Sequence, residues 1–143
     1  MRKLVLIWLF CAIANAQAAA QNDSIFNRTI YNKDENIYLV MNFREKNVLI
    51  EGQEFLGEMA GYLGDFQDFR KWYILEADVV DEYNANIEIT NDEGSEDLKA
   101  SITYDPANQT YTLQQLEGST LRTARNRKWH KLPKKLVYTK NKK

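Results

Sequence analysis

Tyr83-Asn84-Ala85-Asn86-Ile87-Glu88-Ile89-Thr90, then Asn91-Asp92-Glu93-Gly94-Ser95, then Leu98-Lys99-Ala100-Ser101-Ile102-Thr103-Tyr104: these residues decide the fold. Side chains of a strand alternate between its two faces. Tyr83, Ala85, Ile87 and Ile89 therefore share one face, against Asn84, Asn86, Glu88 and Thr90. Leu98, Ala100, Ile102 and Tyr104 do the same against Lys99, Ser101 and Thr103. The Asn, Asp and Gly residues between the two runs suit a hairpin-sized turn. The stretch thus predicts an antiparallel pair, apolar on one face and polar on the other.

The same period extends outward in both directions. Upstream, Ile37, Leu39, Met41 and Phe43 alternate with Tyr38, Val40, Asn42 and Arg44, and Val48 and Ile50 follow a Glu45-Lys46-Asn47 turn. Tyr73, Leu75, Ala77 and Val79 are expected on one strand face. Downstream of an Asp105-Pro106-Ala107-Asn108 turn come Tyr111 and Leu113, then Leu121, and after Pro133 the pair Leu136 and Tyr138. Gly52, Gly57, Gly61 and Gly64 read as a sharply coiled, bulged strand of the kind that barrel closure needs. Nothing reads as a long amphipathic helix; a helical turn is expected over Asp65 to Lys71, where Phe66 and Phe69 are three apart. The whole predicts an all-β, up-and-down antiparallel meander closing into a small barrel of about eight strands, with a two-sheet β-sandwich as the alternative. An integral membrane barrel is disfavoured because the outward set is Lys, Glu, Asn, Arg and Thr.

Residues 1–20 read as a cleaved secretory signal peptide. Arg2 and Lys3 precede an apolar run from Leu4 to Ile13, and Ala14-Asn15-Ala16 and Ala18-Ala19-Ala20 offer small residues for cleavage. The run is too short to cross a hydrocarbon core of ~30 Å. Residues 21–139 are then a single β-barrel domain and 140–143 a frayed basic tail. Cys11, the one cysteine, falls in the signal, so the mature chain is disulfide-free. Export predicts a periplasmic or extracellular location.

Composition closes off most chemistry. One histidine and no mature cysteine cannot build a zinc site, and no metal or cofactor is expected. His130 sits among Arg127, Lys128 and Lys131 with no nucleophile-elbow sequence around any serine. Glu76 and Asp78 share one strand face, which suits a solvated rim better than a cleft. Asn91 to Asp97 offers oxygen ligands, but its spacing departs from the calcium-loop pattern. No catalytic residue is assigned, and the chain reads as a binding protein rather than an enzyme.

Charge is strongly ordered along the chain. The formal net charge is −1, yet all 20 acidic residues precede Gly118, and the segment from Gly118 to Lys143 holds ten Lys and Arg and no acid. Two expectations follow. Arg122, Arg125, Arg127, Lys128, Trp129 and Lys131 form a basic face for an anionic envelope component or acidic protein, with no specific nucleic acid implied. Alternatively, barrel closure sets the basic strands beside acidic ones and neutralises both, which is the favoured outcome. The leading functional expectation is nevertheless a small hydrophobic or amphipathic ligand held inside the barrel, in a pocket lined by Tyr73, Leu75, Tyr83, Ile87, Ile102, Tyr104 and Tyr111, with an envelope interaction or inhibitor protein acting through the basic strands as the alternative.

The Ala-x-Ala-Gln signal end, the Asn91-Asp92-Glu93-Gly94-Ser95-Glu96-Asp97-Leu98 turn and the closing Lys128-Trp129-His130-Lys131-Leu132-Pro133-Lys134-Lys135 segment resemble small exported proteins of Bacteroidota. The mature chain is similar to their lipocalin-like or calycin-like barrels. Asp23-Ser24-Ile25 is similar to the short O-glycosylation acceptor of that group. The resemblance implies an envelope location and binding of a ligand or a protein, and it transfers no functional residue.

Overall fold

The computed structural model describes residues 25–142; the predicted signal peptide lies outside them. The strands are β1 (Asn27–Asn32), β2 (Ile37–Asn42), β3 (Gly61–Asp65), β4 (Trp72–Val79), β5 (Asn84–Asn91), β6 (Asp97–Asp105), β7 (Thr110–Gly118), β8 (Arg122–Arg125), β9 (Lys128–Lys131) and β10 (Lys135–Thr139). Eight of them close into an antiparallel barrel in the order β1-β10-β7-β6-β5-β4-β3-β2, with β2 returning to β1. β8 and β9 pair with each other as a separate hairpin in the connection between β7 and β10. The predicted small all-β barrel is the observed architecture, and that hairpin is its one departure from a plain meander.

Alternation fills the barrel. Ile30, Leu39, Met41, Leu63, Ile74, Ile87, Ile89, Leu98, Ile102, Leu113 and Leu136 point inward and form one buried cluster with Phe26, Phe43, Tyr104, Tyr111 and Tyr138. An eight-stranded barrel is just wide enough for side chains of this size to occupy its axis. Tyr111 is fully buried and its hydroxyl donates to the Ile25 carbonyl oxygen at 2.6 Å, tying β7 to the chain entering β1. Burial pushes the Tyr111 pKa up to about 12. Tyr138 is equally buried, but its hydroxyl has no partner among the described residues.

The alternation expected for β4 is broken. Opposite β5 the register shifts between Ile74 and Glu76, so Leu75 is an extra, bulged residue. Because the side-chain period is two, one inserted residue exchanges the faces. Trp72 and Ile74 point inward before the bulge and Ala77 after it, while Tyr73 faces out and Leu75 is 48% exposed. A second shift, opposite Lys99 and Ala100, bulges Leu116 from β7 in the same way, leaving it 58% exposed.

The glycine-rich stretch also differs from its reading. Residues 43–60 form a long loop, carrying a Val48–Met59 bridge and a single 3-10 turn at Glu54–Leu56. Gly52 and Gly57 flank that turn with φ of 82° and 87°, a left-handed region open to glycine at little cost. The loop folds onto the outside of the barrel, where Ile50 packs on Tyr62 and Tyr73 beside Tyr38 and Val40, and the Tyr73 hydroxyl meets Gln53. This outer apolar cluster explains why Tyr73 is buried although it points away from the axis. Of these four glycines only Gly61 and Gly64 are in a strand; at Gly64, opposite Tyr38 on β2, the tyrosine ring occupies the space a Cβ would need. The helical turn expected over Asp65 to Lys71 is absent: Asp65 ends β3, and Phe69, 78% exposed, lies in an irregular connection.

Two stability measurements test this packing. Ile74→Ala should cost about 2–5 kcal/mol by cavity formation, whereas Leu75→Ala should stay within about 0.5 kcal/mol; urea unfolding that reverses the order would remove the bulge from β4. Tyr138→Phe deletes an unpaired buried hydroxyl and should leave stability unchanged or raise it, while Tyr111→Phe should lose about 1 kcal/mol with its hydrogen bond.

Candidate functional site

Antiparallel connectivity puts alternate loops at the same barrel end. The β1–β2 turn, the β3–β4 connection and the β5–β6 turn share one end, and hairpin β8–β9 lies across it. Leu121 and Leu132, at the foot of the hairpin, are buried in the main cluster and plug this end. Gln115 on β7 fixes the hairpin's entry and exit together: its Oε1 accepts from the Leu121 N–H at 2.9 Å, and its Nε2 donates to the Pro133 carbonyl at 3.0 Å. A buried amide with both ends bonded is a specific tether. Trp72, at the start of β4, adds an indole hydrogen bond to the Arg122 carbonyl at 3.2 Å.

Ion pairs then clamp the hairpin down. Arg125 donates to both carboxylate oxygens of Asp65, at 2.6 and 2.9 Å, and to the Glu35 carbonyl at 2.9 Å. This fork-to-fork geometry is the strongest form of the interaction, and the Asp65 side chain is only 5% exposed. Arg122 pairs with both oxygens of Glu96, one at 2.7 Å. His130 Nε2 lies 2.9 Å from Glu35 Oε2. The acids stand 60, 26 and 95 residues from their partners in sequence. Trp129 carries two guanidinium groups on its ring, Arg122 at 4.6 Å and Arg70 at 5.1 Å from the centroid.

Self-neutralisation of the basic segment is thus present but by a different route. Among the described residues the cations do not meet acids across the closing β1–β10 seam; they meet them across the barrel end. The six residues read as a basic face divide accordingly. Arg122 and Arg125 are clamps. Lys128 and Lys131 are exposed on β9 and Arg127 at the hairpin tip, with no acidic partner within 4.0 Å among the described residues, and Trp129 beside them is 57% exposed.

The seven residues read as a pocket lining do not converge. Ile87, Ile102, Tyr104 and Tyr111 are packed in the barrel core, with Tyr83 partly buried against it. Tyr73 belongs to the outer cluster and Leu75 faces solvent. A cleft of about 110 Å³ lies instead beneath the hairpin, between Trp72, Asp68, Leu132 and Thr123. Thr123 is 8% exposed and its hydroxyl has no partner among the described residues.

The sequence does not single out Glu35 or Gln115; Asp65 reads there only as one of many paired carboxylates and the start of a helical turn, and Glu96 only as part of the oxygen-rich Asn91 to Asp97 turn. Their role appears only when three loops converge. The division of the basic set has a direct measure. Arg125→Met leaves a buried carboxylate unpaired and should lower stability by about 2–4 kcal/mol, whereas Lys128→Ser and Lys131→Ser should each stay within about 0.5 kcal/mol. Equal losses in urea unfolding would contradict the division. No protein-family model matches the chain, and neither a curated protein nor a solved structure does.

Proposed function

We propose that this chain is an exported, non-enzymatic binding barrel that engages an anionic partner through hairpin β8–β9. One observation carries the reading: after Arg122, Arg125 and His130 are paired with acids, Arg127 at the tip and Lys128 and Lys131 on the two faces of β9 remain exposed, with an exposed Trp129 between the lysines. Exposed cations close together on one element attract anions over roughly a Debye length and speed encounter. The neutralised half of the segment holds the hairpin in place, so the free half is presented on a fixed support.

A second reading, a small amphipathic ligand, is supported by the unpaired Thr123 hydroxyl in the cleft under the hairpin. Its volume of about 110 Å³ is below the ~300–1,000 Å³ usual for ligand sites, so the anionic-partner reading leads.

Heparin fragments serve as a generic polyanion for the test. Binding measured by fluorescence of Trp129 should weaken steeply with added salt. The triple variant Arg127→Ser, Lys128→Ser, Lys131→Ser should bind about tenfold more weakly or less, with a flatter salt dependence. Undiminished binding by the triple variant, or none by the natural chain, would falsify the reading.

A further inference from the structure

The exposed strand of this hairpin has an unused backbone edge as well as charge. The Leu132 N–H donates to the Leu121 carbonyl at 2.8 Å, which makes Leu121 and Leu132 a hydrogen-bonded pair. Such pairs alternate along an antiparallel ladder, so Thr123 with His130 and Arg125 with Lys128 are the next two. Trp129 and Lys131 sit at the intervening positions. Their N–H and C=O groups therefore point away from β8, toward an edge that no strand of the described residues pairs. All four residues of β9 are exposed.

The turn at its tip adds an independent observation. Asn126 and Arg127 both have positive φ, 52° and 64°, as a two-residue hairpin loop matching the strand twist requires. The second of these positions favours glycine, and here it holds an arginine in a conformation side chains disfavour. A cation is thereby held at the head of the free edge, ahead of Lys128 and Lys131.

We propose that β9 takes up an extended acidic peptide by strand addition, the peptide backbone bonding to Trp129 and Lys131 and carboxylates on its two faces meeting Lys131 on one side of the hairpin and Lys128 on the other. The proposal rests on the anionic-partner reading and names the partner's chemistry. Lysines on an open edge repel a like-charged strand, which is how edges are protected from self-pairing. The same charges exclude the β9 of a second copy and favour a strand of opposite sign. Main-chain bonds then supply affinity and alternate side chains supply selection, as in other strand-addition sites.

The probe is a short acetylated peptide of Glu, Val and Thr with glutamates on both strand faces, in three forms: unmodified, N-methylated at the odd positions, and N-methylated at the even positions. All three carry the same charge, but each methylated form blocks one edge. Strand addition predicts that one methylated form binds about tenfold more weakly or less while the other binds like the parent. It also predicts that exchange of the Trp129 and Lys131 amide hydrogens slows when the unmodified peptide is bound. If all three bind alike and those two amides exchange at an unchanged rate, strand addition is overturned while polyanion binding by heparin still stands. If neither heparin nor the peptide binds, both readings fall together.

Discussion

An eight-stranded barrel leaves an interior that side chains of ordinary size can fill, and in this protein they do. Most of what the molecule can offer a partner follows from that constraint. Phe26, Phe43, Tyr111 and Tyr138 are buried together with a ring of branched aliphatics, and none of these four aromatics is more than 1% exposed. Chemistry is thereby displaced to the outside: to a loop that covers β2, β3 and β4, and to a hairpin that crosses one end. Close packing also holds the seam. There β1 meets β10 in the register Tyr31 to Thr139, and cross-ties such as the Asn32 amide to the Val137 carbonyl, 2.9 Å, reinforce it.

The basic C-terminal segment does two jobs with one composition. Arginines, whose planar fork can meet a carboxylate on two sides at once, are the residues spent on the clamps to Asp65 and Glu96. Lysines, compact and strongly hydrated, are left in water on β9, and Arg127 stays with them at the hairpin tip. A uniform run of positive charge in the sequence is therefore two populations in space, separated by whether an acidic loop end happens to lie opposite. The clamps matter to the proposed interaction because a two-stranded hairpin is marginal alone; tethered by Gln115, Trp72 and Arg125 it becomes a rigid support.

The architecture was legible because strand alternation is a local signal. Ile37 to Phe43, Ala85 to Ile89 and Leu98 to Tyr104 each show their buried face within a few residues, and the turns between strands carry the residues such turns require. Tyr73 and Leu75 were misread for a reason equally local in origin but invisible in composition: a single bulged residue reverses the faces, and nothing in Trp-Tyr-Ile-Leu-Glu-Ala marks where the extra residue sits. The loop from residue 43 to 60 misled because glycines serve bent strands and left-handed turns alike. At the candidate site the cations were visible in the sequence, and the acids that pair with some of them were not. Pairings such as His130 with Glu35 depend on which loops share a barrel end, which is a property of the closed topology.

The first and last strands of the barrel are neighbours, and this ordering has a kinetic consequence. β10 must pair with both β7 and β1, so the sheet cannot close until the end of the chain is available. Until then β1 and β7 each present an open edge, the arrangement most prone to pairing with other chains. Non-local closure of this kind is intrinsically slow, in the millisecond-to-second range typical of all-β domains, roughly. A chain cut short before Leu136 would forfeit more than a terminal strand: it would leave a curled sheet with two adhesive margins, and its fate would be decided by aggregation rather than by stability.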